Sequence, residues 1–183
     1  MTKATPEYEF ALTDELRALI GKEGVQAEHE ITAPGIRAFA RAAGLSDPVF
    51  YDRAEAKRRG YRDLPAPPGC LGFPVFDPNR SDPRMSWPLD RKAPLNHPFI
   101  PIPSRHTDVL AGGSEIEYFG DPDLCAGDVL TSVTKLENLT ERYSEALGGP
   151  MLIQTTGTTF KKNGKPVAIY RFTIISYTPQ AKG

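Results

Sequence analysis

The sequence predicts an α+β fold built on an antiparallel sheet, and three observations carry that reading. Between Thr32 and Gly60, apolar residues recur at helical spacing and are interrupted by turn residues. From Ser114 onward the chain becomes rich in Val, Ile, Thr, Tyr and Phe, the residues that suit a pleated surface. Lys162-Asn163-Gly164-Lys165 then joins two such runs through Asn-Gly, the preferred type I′ hairpin pair. Helices followed by four or five consecutive strands favour segregated α and β layers.

Residues 1–12 read as a polar arm. Thr13 is placed to cap a helix over Asp14 to Ile20, with Leu16, Leu19 and Ile20 on one face and Gly24 beyond it. Val25 to Ile31 reads either as a short strand or as extended linker. Next, Ile36, Phe39, Ala40 and Ala43 follow the i, i+3, i+4, i+7 spacing of one helix face. Thr32 is the expected N-cap, Pro34 suits the first turn, and Gly44 stands where a helix commonly ends. Pro48 pushes Asp47 away from helical angles, making Leu45 to Pro48 a corner. A second short helix spans Arg53 to Gly60, before the stiff run Leu64-Pro65-Ala66-Pro67-Pro68-Gly69. In the second half, Ser114 to Phe119, Val129 to Leu136, Thr140 to Leu147, Met151 to Lys161 and Pro166 to Tyr177 are candidate strands. Gly148-Gly149-Pro150 is read as a break between two of them.

The corner carries a family resemblance. Gly44-x-x-Asp47-Pro48-x-Phe50-x-Asp52, with Gly60-Tyr61 and Ala66-Pro67-Pro68 downstream, resembles the MaoC-like dehydratases, R-specific enoyl-thioester hydratases. Ala126-Gly127-Asp128 before a long strand extends the likeness over roughly residues 31 to 177. The resemblance implies a hotdog fold, an antiparallel sheet wrapped around a central helix, over 1–183 as one domain. That helix would begin at Gly69-Cys70-Leu71-Gly72-Phe73, shortened by Pro74 and Pro78, because an interior proline loses a hydrogen bond and clashes with the preceding turn. In active members the corner reads roughly Gly-Asp-x-Asn-Pro-x-His, whose Asp and His activate water. Matched position by position, the Asp falls on Leu45, the Asn on Asp47 and the His on Phe50. Neither Leu45 nor Phe50 can move a proton. The pattern is similar to the family's non-catalytic N-terminal half, a first repeat or a separate subunit beside an active one.

Composition narrows the classes. With 183 residues the chain is long enough to bury a core, and 39% hydrophobic with 25% charged residues is ordinary for a globular protein. A net charge of −1 offers no electrostatic case for nucleic acid or a membrane surface. Cys70 and Cys125 are too few for a disulfide framework, which suits a reduced, cytoplasmic setting. The polar N-terminus does not resemble a signal peptide, and no apolar run reaches transmembrane length. No dinucleotide, P-loop, zinc-protease, Cys/His metal or Gly-x-Ser-x-Gly spacing occurs, so neither metal nor cofactor is expected. Most of the 18 prolines lie between Pro65 and Pro103, and residues 75–105 form an irregular excursion longer than the 12–15 residues of an ordinary connection. Trp87, Phe99, Ile100 and Ile102 within it read as anchors onto this domain or a partner.

Hydration of an enoyl thioester needs a base for water and donors for the developing enolate oxygen. Asp47, Asp52, His97 and His106 are the candidate bases, with Asp108 close to His106 in sequence. Asp47 is more simply a turn cap, Asp52 a helix cap, and His29 a surface strand residue. Gly69, Leu71 and Phe50 are the candidate substrate contacts, Gly69 through its backbone N–H. Lys57-Arg58-Arg59 reads first as a solvated helix face and second as a contact for a coenzyme phosphate. Three readings follow. The chain is a dyad-less hotdog subunit that pairs with a MaoC-like catalytic subunit and shapes its acyl tunnel. Alternatively it is a homodimer that binds an acyl thioester, on coenzyme A or an acyl carrier, without turnover. The third is a hydratase with relocated groups, using Asp47 or His106.

Overall fold

The structure is a computed structural model that describes residues 12–24, 26–72, 106–120 and 123–179. The proline-rich excursion, His97 and most of the polar arm lie outside the described residues. The chain runs through α1 (Asp14–Arg17), β1 (Ala27–Glu30), α2 (Ala33–Ala42), a 3-10 turn at Pro48–Phe50, α3 (Arg53–Arg58) and a second 3-10 turn at Cys70–Gly72. Then come β2 (Asp108–Tyr118), β3 (Val129–Ser144), β4 (Gly149–Lys162) and β5 (Lys165–Tyr177). The strands form one antiparallel sheet in the order β1-β3-β4-β5-β2. Among the described residues, no helix is long and apolar enough to cross a membrane.

The helix signals act as their chemistry predicts. Thr32 Oγ1 accepts from Gly35 N at 3.1 Å, and Pro34 occupies the first turn of α2. Gly44 takes φ +71° just past its end. Thr13 caps α1, but that helix is only four residues long, and the exposure of Ile20 shows that it does not share the buried face of Leu16. After α1, Gly21 N and Gly24 N donate to Leu136 O and Thr134 O, so the chain joins the β3 edge before β1 begins. The strand expected over Val25 to Ile31 is β1, over Ala27–Glu30.

Two strand boundaries need correction. Val129–Leu136 and Thr140–Leu147 are parts of a single strand, β3, which ends at Ser144. The polar pair Glu137-Asn138 looks like an interruption, yet it is a bulge between Leu136 and Asn138 that adds one residue and keeps the ladder going. The expected break at Gly148-Gly149-Pro150 also shifts. The turn is 145–148, and Gly149 and Pro150 already pair with Ser144 and Tyr143. A proline is tolerated at the start of a strand, where a ladder donor is least missed. β2 begins at Asp108, earlier than the Ser114 suggested by propensity, because its pairing with β5 from Asp108↔Tyr177 holds weak strand formers in place. The Asn-Gly hairpin is as expected, with Asn163 at φ 51° and Gly164 at φ 76°.

One face of the sheet carries the core. Leu130, Phe160, Val167 and Ala168 pack under Ile36 of α2, Val49, Ala56 of α3, Leu64, Cys70 and Leu71. Leu12 and Leu16 pack on Leu139 and Leu152, forming a second cluster. The opposite face carries charge. Arg171 Nε bonds Glu137 at 2.9 Å, and its Nη1 reaches Glu115 at 3.1 Å and Glu117 at 3.3 Å.

Candidate functional site

The corner between α2 and α3 is pinned from several directions. Leu45 N donates to Ala40 O at 2.8 Å, and Tyr51 Oη donates to Leu45 O at 2.6 Å. Arg37 Nε donates to Tyr51 O at 3.2 Å. Asp47 Oδ1 accepts from Val49 N at 3.1 Å, which caps the 3-10 turn, and Oδ2 accepts from Arg59 Nη1 at 2.9 Å. The Val49 N–H first, and Arg59 second, hold the Asp47 carboxyl below the ordinary carboxylate range. A carboxylate so stabilised in its charged form is a weak base. Asp52 accepts from Ala54 N at 2.7 Å and caps α3.

The two positions matched to an acid–base dyad by the sequence resemblance, Leu45 and Phe50, hold apolar side chains. Phe50 is half-buried and packs against the main core cluster, and Leu45 is half-buried at the corner. Leu71 belongs to the same cluster, and Gly69 lies beside Phe39, which packs against it. Leu71 is itself a buried core residue. Gly69 stands at φ +89°, and a Cβ there would lie 3.5 Å from Phe39 Cζ. Its N–H donates to Tyr118 Oη at 3.2 Å. The amide proposed for an enolate oxygen therefore already has an acceptor. Burial first raises the Tyr118 phenol pKa, so its hydroxyl stays protonated at neutral pH. Tyr118 was not singled out from sequence; 49 residues separate it from Gly69 and no spacing links them.

His106 is not part of this corner. It precedes the start of β2, whereas Tyr118 ends that strand, and ten residues of strand span on the order of 30 Å. His106 Nδ1 lies 3.4 Å from Thr178 Oγ1, and the Asp108 carboxylate accepts from Thr107 Oγ1 at 2.7 Å. His29 is less exposed than a surface strand residue would be, with Nε2 2.7 Å from Ser132 Oγ and its ring tilted against Phe160. Arg58 and Arg59 bond Glu55, each at 2.6 Å, which gives the charged face of α3 partners within the chain.

An ionic cluster fixes the frame from below. The buried carboxylate of Asp128 accepts from Arg62 Nη2 at 2.8 Å, Lys162 Nζ at 2.9 Å and Cys125 N at 2.8 Å. Arg62 also bonds Asp123 at 2.7 Å. The loop after α3, the entry to β3 and the β4–β5 hairpin are thus tied together. The Gly127-Asp128 phrase was the sequence signal for this cluster, but its long-range partners Arg62 and Lys162 were not predictable from it.

Comparison with known proteins adds to this geometry. The family model described as FAS1-like, dehydratase domain region, matches residues 18–170. A probable enoyl-CoA hydratase alpha subunit of Thermomonospora curvata is 22% identical over 179 residues, covering 90% of this chain and 51% of that protein. The chain thus spans about half the length of that curated relative. Among solved structures, the ChsH1-ChsH2 complex of Mycobacterium tuberculosis superposes with a TM-score of 0.64 at 16% identity, covering 92% of this chain and 90% of that one. A MaoC-like dehydratase superposes with a TM-score of 0.62 at 22% identity, covering 89% of this chain and 43% of the other. The curled five-stranded antiparallel sheet, with its few helices on one face, is the hotdog fold of these neighbours.

Proposed function

The chain belongs to the FAS1-like dehydratase domain region family, and from that membership we propose that it is a dyad-less hotdog subunit of an enoyl-thioester hydratase or dehydratase. Its role is to complete and shape the acyl site of an active MaoC-like partner, which carries out reversible water addition to a trans-2-enoyl thioester of coenzyme A or an acyl carrier. The observation that carries this reading is the filled corner: Leu45 and Phe50 stand where an acid–base pair would be needed, and Asp47 is engaged by Val49 N and Arg59. The protein is therefore built to hold the frame of the site rather than to move the proton.

The edge of the sheet supports a partner. β2 is terminal in the strand order, eleven residues long, and bears exposed Val109 and Leu110. A long edge with apolar side chains readily accepts another strand. One neighbour is described as a two-component complex, ChsH1-ChsH2, which agrees with a partner subunit here. The test is to assay the purified chain, a candidate MaoC-like partner, and their mixture against a set of trans-2-enoyl-CoA esters. The reading predicts no turnover by the chain alone and higher or broader activity in the mixture. Turnover by the isolated chain, abolished by Asp47→Asn, would replace it with a hydratase of relocated groups. A stable homodimer that retains thioester without turnover, and is indifferent to the partner, would replace it with a binding protein.

A further inference from the structure

Gly69 is flanked by two aromatic side chains of different chemistry. A Cβ built on it would lie 3.5 Å from Phe39 Cζ, and its N–H donates to Tyr118 Oη at 3.2 Å. Phe39, Phe50, Ile116, Tyr118 and Tyr170 are partly buried and pack against the main core cluster. Tyr118 faces Ala168 across β2 and β5, and Ile116 and Tyr170 form the next pair on the same side of the sheet. Gly69 and Tyr118 are themselves half-buried, so the point where they meet is not sealed inside the core. A mostly apolar wall with a well-placed polar group is the usual make-up of a small-molecule site.

The direction of the hydrogen bond matters. A phenol has one O–H donor and accepts through its oxygen lone pairs, so the bond from Gly69 N uses a lone pair and leaves the proton for another acceptor. An amide bonded to that oxygen also polarises the O–H and makes it a better donor. Burial raises the Tyr118 phenol above its ordinary 10.0 and pushes the Cys70 thiol up to about 12, so both stay neutral at neutral pH. No Cys70 thiolate therefore competes with a ligand for the Tyr118 proton. Tyr118 also closes β2, the terminal strand of the sheet order, which is the edge read above as meeting the partner.

We propose that Tyr118 Oη–H donates to the carbonyl oxygen of an acyl thioester bound at this chain, in place of the Gly69 amide. This rests on the reading that the chain helps to build a thioester site. Gly69 is then a positioning residue, its amide holding the phenol oxygen and strengthening the bond that the phenol donates. Tyr118 is a binding contact and gives up no proton, which suits a subunit that holds the acyl group while its partner carries the chemistry.

The experiment assembles the full chain with its active partner and binds a saturated acyl-coenzyme A, which takes up no water, labelled with carbon-13 at the thioester carbonyl. Difference infrared spectra read the carbonyl stretch, which falls in frequency when the oxygen accepts a hydrogen bond. The wild type is expected to give a band below that of the free ester. Tyr118→Phe should lose this downshift and bind about three- to tenfold more weakly, the range of one neutral hydrogen bond. Affinity alone does not separate contact from scaffold, because Tyr118→Phe also removes the acceptor of Gly69 N. Tyr118→3-fluorotyrosine keeps the shape and the acceptor but has a more acidic phenol, and below neutral pH it should lower the band further. The partner is the same in every sample, so a band that follows residue 118 belongs to this chain. A band that the fluorine does not move, or a downshift unchanged in Tyr118→Phe, would overturn the proposal and leave the thioester reading standing. Failure of the ester to bind the wild-type complex would overturn both.

Discussion

Asp47, Asp63 and Asp123 each lie at a junction between elements, and each carboxyl is held below its ordinary value of 3.8. The chief causes are the Val49 N–H for Asp47, the Leu64 N–H for Asp63 and the Arg62 guanidinium for Asp123. A group whose pKa is lower folded than unfolded stabilises fully above the unfolded value, and that contribution is lost as pH falls through the folded value. Denaturant melts are therefore expected to show no loss from these groups above about pH 5 and a decline below about pH 4. Asp63→Asn should flatten part of that decline, and an unchanged slope would show that its carboxylate is not engaged. At this scale the caps were legible, because Thr13, Thr32, Asp47 and Asp52 act on amides two or three residues away. Tyr118 was not, since its partner is distant in sequence.

At the scale of the element, the bulge in β3 lays Glu137 across Gly157 toward Arg171, and a Cβ at Gly157 would collide with the Glu137 carboxylate. Two effects of Gly157→Ala then oppose each other. Replacing glycine within a strand gains about 0.5–1 kcal/mol from reduced backbone freedom. Displacing a partly exposed ion pair costs a similar or smaller amount, about 0.2–1 kcal/mol. The single substitution should be close to neutral, whereas in a Glu137→Ala background the same change should stabilise by about 0.5–1 kcal/mol. Chemical denaturation of the four proteins of that cycle measures the coupling, and strict additivity would contradict the contact. This bulge also explains why β3 read as two strands. A charged, unpaired residue breaks alternation in sequence without breaking the ladder. Likewise Asp108, Ala111 and Gly113 are weak strand formers that β5 nevertheless pairs, so tertiary contact overrode local preference. The α2 helix and the Asn-Gly hairpin, where local preference and packing agree, were read correctly.

For the whole molecule, the account rests on β2 as the terminal strand among the described residues and on an occupied corner. Val109 is 69% exposed on β2, so Val109→Lys should leave the melting temperature of the isolated chain unchanged while weakening association with the active partner at least about tenfold, a charge on an edge strand being a natural block to pairing. Sedimentation of the mixture reads this directly, and undiminished association would move the interface away from β2. The central claim, that the proton transfer belongs to the partner, is tested most directly by hydration rates of the assembled complex carrying one set of changes at a time. With the partner's acid–base pair disabled, the rate should fall to the buffer level. With Asp47→Asn and His106→Ala in this chain, it should stay within about twofold of the unaltered complex, since Asp47 is engaged by Val49 N and Arg59 and His106 Nδ1 lies beside Thr178. The reverse pattern, activity surviving loss of the partner's pair and vanishing with Asp47 or His106, would show that this chain catalyses the reaction itself.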